Sequence, residues 1–267
     1  MKHEVAHINQ ELQINGKMQP IHLGDAIICI NLLYNRALNT NVPIKIYGPK
    51  WIKNLFELFD YGDLEYVGTY AQFEPMNISI LDLFPRINSG ALKDNLASHE
   101  FLKLNCFCKI SNPTIVPYDK IILPKCRIKK QLYNNIYFQL DSRSTNAKDK
   151  TPLSTKQSEQ FLDYFKSNCS LIGLGGIDTI PYLNYEFVLG DLSKIIHALS
   201  KSKMFLGVDS GISVLAGMIE IESKIICLSN TEPRASETIQ MYNLFFPNTI
   251  VYRKDEFFRK MYDFPIL

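Results

Sequence analysis

Short β-branched or aliphatic runs alternate with amphipathic segments along most of this chain, and that alternation limits its fold more than any other feature. In the second half, NIYFQL (135–140), SLIGLGG, KMFLGVD and SKIICLS read as strands. Between them lie helical patterns. Ser154 with Gln157 forms a capping box ahead of Phe161, Leu162 and Phe165. DLSKIIHALSKS sets Leu192, Ile195, Ile196 and Leu199 on one face, and ISVLAGMIE reads as a short helix. Strands alternating with helices predict parallel sheets joined by crossover helices, an α/β architecture.

The first half repeats the pattern more faintly. Residues 26–38 carry Ile27, Ile30, Tyr34 and Leu38 at helical spacing, VPIKIYG is strand-like, and WIKNLFELF is helical through Trp51, Leu55, Leu58 and Phe59. LEYVG and NISILDL read as further strands, and NQELQINGKMQPI as a hairpin or extended loop before Gly24. A terminal helix is expected over 255–262. The joint NPTIVPYDKIILPKCRIKK, with Pro113, Pro117 and Pro124, divides the chain into two α/β domains, 1–125 and 126–267. The length of 267 residues suits one large domain or two small ones.

Composition excludes several classes. Hydrophobic residues at 46% and charged residues at 21% describe a folded globular chain. A net charge of +2 is too balanced for nucleic acid to be the main partner. The six cysteines include one close pair, Cys106 and Cys108, without a second pair at zinc spacing, so reduced thiols are expected and no metal site. MKHEVAHINQ has no apolar leader core, and no apolar run approaches the roughly 18 residues that span a bilayer. A soluble cytoplasmic protein is therefore expected.

Three loops have the chemistry for a ligand. In HLGDAII, Gly24 permits a tight turn and Asp25 stands at or just before a helix start. It reads either as a helix cap or as a carboxylate able to take a proton from a hydroxyl, with His22 beside it. In GVDSGISVLAG, a strand runs through Asp209, Ser210 and Gly211 into a helix. Its first amides, including those of Ser210 and Gly211, suit an anion, and capping by Asp209 or Ser210 is the plainer reading. The loop 141–152 offers Ser142, Arg143, Ser144, Lys148 and Lys150, either as a solvated charged loop or as a diphosphate cradle. GLGGID echoes a dinucleotide fingerprint, but Pro181 and a polar-aromatic stretch follow instead of a helix, so that site is rejected.

In their order these loops resemble glycosyltransferase family 9, the heptosyltransferase-like enzymes. Gly24-Asp25 matches the family's Gly-Asp at the start of the first N-terminal helix. YFQLDSRSTNAKDKTPLS matches a strand and polar loop with a lysine before a proline, here Lys148 or Lys150. LGDLSKIIHAL, FLGVDSGISVLAG and CLSNTEPRAS match the three motifs that follow. Val214 stands where the family often has a histidine, and Ser229-Asn230 replaces the usual glycine before Thr231.

The resemblance implies a GT-B-like fold, two Rossmann-like parallel-sheet domains facing a cleft. It implies inverting, metal-independent sugar transfer from a nucleotide-sugar donor to a glycan or glycolipid acceptor of surface-polysaccharide type, with no cofactor. Asp25 would be the base, with His22 and Gly24 on the acceptor side. Lys150, Ser210, Gly211, Ser142 and Arg143 would hold the donor diphosphate. Asp209, Asp178, Thr231 and Glu232 would meet donor sugar or nucleoside. The basic clusters KCRIKK and RKDEFFRK offer peripheral contact with the inner membrane or plain solvated faces. A nucleotide-sugar hydrolase, an epimerase and a non-catalytic binding protein on the same fold are the alternatives.

Overall fold

The computed structural model describes residues 3–8, 11–14, 17–69, 108–110, 121–131, 133–142, 150–176, 179, 181–182 and 184–264. The chain divides into two compact units, Met1–Arg127 and Ile128–Leu267.

The first unit is built on a four-stranded sheet. Strand β1 (Glu4–Ile8) buries alternate residues, with Ala6 and Ile8 inside. The hairpin of β2 (Glu11–Ile14) and β3 (Lys17–Pro20) follows it, and the Asn15-Gly16 dipeptide between them in sequence is a strong hairpin signal. Helix α1 (Leu23–Thr40) comes next and ends on Asn41 in the left-handed region. Strand β4 (Ile44–Tyr47) pairs parallel with β1. A 3-10 turn at Lys50–Ile52, helix α2 (Lys53–Leu58) and the short β5 (Phe59–Asp60) lead to β6 (Leu64–Gly68), parallel to β4. Strand β7 (Cys108–Ile110) adds antiparallel to β1, and β8 (Lys125–Cys126) pairs antiparallel with β5. The order is β6-β4-β1-β7.

This corrects the expectation of a wholly parallel sheet in the first half, because an antiparallel strand closes its edge. The segment NISILDL lies outside the described residues. Two polar contacts fix α1. Arg36 pairs with Glu4 of β1 at 2.8 and 3.2 Å, with the arginine side chain 1% exposed. Asn35 mimics a strand neighbour: its Oδ1 accepts from Ile122 N at 2.7 Å and its Nδ2 donates to Ile122 O at 2.9 Å. A buried amide that satisfies both groups of one residue holds that segment against α1.

The second unit is a six-stranded, wholly parallel sheet. Its elements alternate as β9 (Asn135–Gln139), α3 (Thr155–Lys166), β10 (Ser170–Gly175), β11 (Glu186–Leu189), α4 (Leu192–Leu199), β12 (Met204–Val208), α5 (Gly211–Met218), β13 (Glu222–Cys227), α6 (Glu232–Phe245), β14 (Thr249–Arg253) and α7 (Lys254–Lys260). The strands stand in the order β11-β10-β9-β12-β13-β14. The Ser154–Gln157 capping box opens α3, and Asp191 caps α4 through Lys194 N at 3.0 Å. Phe138, Phe161, Phe165, Leu206, Val208, Phe257 and Met261 share one core, in which the Phe161 and Phe257 rings stack at 6.0 Å. Helix α6 was not anticipated. It buries Ala235, Tyr242 and Phe245 within an otherwise polar sequence, so no clear stripe marks it.

Two of the three glycines of GLGGID, Gly173 and Gly175, serve packing. A Cβ on Gly173 would lie 2.3 Å from the Phe187 ring, and one on Gly175 would lie 2.4 Å from Thr179. The next element after β10 is a strand, so the rejection of a dinucleotide turn stands.

Strands β9 and β12 are neighbours, with Gly207 paired to Gln139. A Cβ on Gly207 would sit 2.7 Å from the Gln139 carbonyl oxygen, a backbone atom that cannot step aside. We expect Gly207→Ala to destabilise the protein by about 1–3 kcal/mol, read as a lower urea midpoint with an unchanged m-value. A wild-type midpoint would show that the two strands do not approach this closely.

Candidate functional site

Strand β9 begins the sheet at its middle. The chain then moves outward through β10 and β11, returns, and moves outward the other way through β12, β13 and β14. Loops leaving β9 and β12 therefore diverge, and in open parallel sheets the crevice between such loops is where ligands bind. The residues at this edge are Gln139 to Ser142 after β9 and Asp209 to Gly211 after β12.

Asp209 is the hub of that edge. Its Oδ1 accepts from Leu228 N at 2.9 Å, and its Oδ2 forms an ion pair with Lys150. Both side chains are nearly buried, Lys150 at 10% exposure and Asp209 at 7%. The Asp209 amide donates to Ile226 O at 3.0 Å. Lys150 forms an isolated antiparallel bridge with Ser229, and Thr151 N donates to Leu228 O at 2.9 Å. The returning end of the 141–152 loop is thus laid against the exit of β13 and pinned to the exit of β12. The Asp209 charge is felt by its neighbours: burial pushes the Cys227 thiol up, and Asp209 adds to that rise.

Ser210 caps α5. Its Oγ accepts from Ser213 N at 3.3 Å and donates to Gln139 Oε1, while its own amide donates to Ser213 Oγ at 2.8 Å. Ser213 Oγ donates to Ser210 O and lies 2.6 Å from the Tyr242 hydroxyl. Burial raises the Tyr242 pKa, so that phenol stays neutral and works as a fixed hydrogen-bonding group. Reciprocal capping uses the amides of Ser210 and Ser213. The expectation that Ser210 offers its amide to an anion is corrected accordingly. The first-turn amides outside the box are those of Gly211 and Ile212.

The remaining expected residues fall as follows. Ser142 is buried three residues beyond Gln139. Thr231 is the N-cap of α6 without a side-chain cap bond, two residues beyond Ser229. Glu232 is exposed and held by both terminal guanidinium nitrogens of Arg253, with Ser236 Oγ donating at 3.1 Å. The Arg253 hydrogen bonds hold the Glu232 carboxyl below its ordinary value. Arg143, Lys148 and Asp178 lie outside the described residues. In the first unit His22 is the N-cap of α1, exposed and making no cap bond. Gly24 and Asp25 lie inside the first turn, so Asp25 is not the cap. A carboxylate there gains from the helix dipole.

Gln139, Ser213 and Tyr242 were not singled out from the sequence, and Arg253 only as part of the basic cluster RKDEFFRK. Gln139 left a signal, as a polar residue directly after the apolar run 136–138. Among the described residues no three His, Cys, Asp or Glu side chains group to hold a metal ion, and no helix is long and apolar enough to cross a membrane. Among the described residues, Cys29, Cys108, Cys126, Cys169 and Cys227 are not joined in disulfides. Several cations of the two basic clusters already hold partners: Arg127 with Asp60, Lys130 with Glu220 O, Arg253 with Glu232, Lys254 with Thr151 O and Lys260 with Glu256.

The second unit is thus a doubly wound α/β fold with polar residues at the exits of β9 and β12, where its strand order reverses. No protein-family profile and no curated protein sequence matches the chain. Among solved structures it is similar to the iron-containing dodecameric glycosyltransferase TibC of enterotoxigenic E. coli H10407, at 13% identity and a TM-score of 0.48, covering 78% of this chain and 56% of that one. It is also similar to a family 9 glycosyl transferase from Veillonella parvula DSM 2008, at 13% identity and 0.48, covering 87% and 84%. A third is E. coli heptosyltransferase WaaC with ADP, at 10% identity and 0.49, covering 91% and 96%. The chain spans little more than half the length of TibC.

Removing one member of a buried ion pair strands the other. We expect Lys150→Met to destabilise the protein by about 3 kcal/mol and Lys150→Met/Asp209→Asn to recover most of that loss, read by chemical denaturation. Equal losses in the two variants would mean that the pair is not coupled.

The Glu232–Arg253 contact makes a separate prediction. A depressed carboxylate contributes stability above its unfolded pKa and loses it as pH falls through the folded value. In Arg253→Gln, Glu232 should titrate at higher pH than in wild type, read by carboxyl NMR. An unmoved titration would mean that the pair does not persist in solution.

Proposed function

We propose that the chain is a glycosyltransferase that takes a nucleotide-sugar donor in the crevice of the second unit. The observation that carries this reading is the capped N-terminus of α5 at the strand-order reversal, with Lys150 seated beside it. The Gly211 and Ile212 amides and the Lys150 ammonium suit a diphosphate whose negative charge grows as it leaves. Ser142, three residues beyond β9, and Arg143 next to it in sequence complete the proposed diphosphate side. Thr231 and Glu232 at the start of α6 suit nucleoside or sugar hydroxyls, and Asp178 belongs to the same proposed group. Both oxygens of Asp209 are engaged within the chain, so we assign it to holding Lys150.

In the proposed reaction the acceptor hydroxyl gives its proton to the Asp25 carboxylate as its oxygen bonds to the anomeric carbon. The bond from that carbon to the diphosphate oxygen breaks, and the nucleoside diphosphate leaves with the electron pair. Attack opposite the leaving group inverts the anomeric centre. Helix amides and Lys150 take the neutralising role without a metal ion. The acceptor we propose is a sugar hydroxyl of a surface glycan or glycolipid, with His22 and Gly24 near it. Peripheral membrane contact would draw on basic clusters whose charge is already partly spent within the fold.

The test is nucleotide binding followed by transfer. We expect a nucleoside diphosphate to stabilise the protein against heat equally with and without EDTA, and Gly211→Asp to abolish that shift. Asp25→Asn should keep the shift and lower transfer by about 100-fold or more. Release of free sugar without an acceptor product would support a hydrolase instead. Absence of any shift across nucleoside diphosphates and nucleotide sugars would overturn the donor site.

A further inference from the structure

Lys150 does not wait in the crevice as an open cation. It is paired with Asp209, the residue that immediately precedes the α5 cap. The pair is nearly buried, and Leu228 N holds the second carboxylate oxygen at 2.9 Å, so the aspartate cannot swing away. An anion arriving at the Gly211 and Ile212 amides meets a lysine that already has a carboxylate, and a fixed carboxylate that repels it. Whatever it gains from Lys150 is reduced by what Lys150 gives up.

Resting on the donor-site reading above, we propose that Asp209 is an internal counter-ion that competes with the donor's diphosphate for Lys150, so that the crevice holds nucleoside diphosphate less tightly than its donors alone would. Asp209 is here a positioning residue with two effects. It seats the ammonium before the donor arrives, which spares the ligand the ordering of a flexible side chain. It also takes Lys150 back when the leaving diphosphate departs, which favours product release. A ligand that must displace an internal partner binds more weakly by the free energy of that partnership, and removing the partner returns it.

The competition makes a prediction opposite in sign to that for an ordinary binding residue. Asp209→Asn retains an oxygen for Leu228 N and removes the charge. It should lower the melting temperature of the ligand-free protein yet tighten nucleoside diphosphate binding by about fivefold or more. Lys150→Met should weaken binding. In the Lys150→Met background, Asp209→Asn should tighten it much less, because no ammonium remains to be released.

The experiment is titration calorimetry of the full chain with ADP, UDP, GDP, CDP and dTDP at fixed salt, on wild type, both single variants and the double. As a measurement on wild type alone, the Lys150 Nζ resonance, assigned by its loss in Lys150→Met, should move on saturation with the tightest of these. Weaker binding in Asp209→Asn, or an unmoved Lys150 resonance, overturns the competition while leaving the donor site standing. Failure of every diphosphate to bind wild type and variants alike removes the donor-site reading and this inference with it.

Discussion

The second unit depends on two parallel strands, β9 and β12, lying side by side while the chain leaves them in opposite directions. Parallel neighbours cannot be joined by a tight turn, so every connection must climb over the sheet and return. That places all strand exits on one edge. Gly207 allows a close approach at that edge, because any side chain there would meet the Gln139 carbonyl. The reversal at this edge follows from strand order, and one missing Cβ lets the two strands lie side by side there. The polar residues at that edge are then free to be chosen for chemistry.

What was chosen is a hub. Asp209 joins the exits of β12 and β13 through Leu228 and the returning β9 loop through Lys150. A buried carboxylate with a single partner would be costly, and one with an ammonium and a backbone amide is satisfied. The same arrangement that stabilises the edge also sets the strength of its positive charge. Structure and electrostatics cannot be tuned separately at this position, and a substitution here should always show in both.

The α/β class, the strands of the second half and the Ser154 capping box were legible because each is local: β-branched runs, a helical repeat, a cap at fixed spacing. The sheet order was not, since no residue announces which strand neighbours which. Asp25 was placed near a cap because Asp favours caps, but the chain enters α1 two residues earlier, at Leu23, with His22 in the extended region. Helix α6 escaped notice because its buried positions are few and spread through polar residues. The β1 strand hid behind the inserted hairpin. At the candidate site the sequence drew attention to Asp209, Ser210, Gly211 and Glu232 by residue type, and to Lys148 or Lys150 without choosing between them. Their pairings were not legible: Asp209 lies 59 positions from Lys150, Gln139 lies 71 from Ser210 and Arg253 lies 21 from Glu232. Pairings across such separations come from topology, and the sequence carries them only after the strand order is known.

Helix α5 shows why the end of an element can matter more than its sides. Every residue from Ile212 to Met218 is buried, so its flanks have only packing to offer. Gly217 lets the Phe246 ring sit where a Cβ would be 2.5 Å away, and Val214 faces the interior. A helix sealed on all sides can act on a ligand only through its first turn. Two of those amides are tied by Ser210 and Ser213, and Tyr242 holds Ser213 from behind. The donors that remain are therefore fixed in direction before any ligand arrives, which is the condition under which hydrogen bonds lower a barrier most. Among the described residues the cation beside this turn is Lys150, and Asp209 is what holds it.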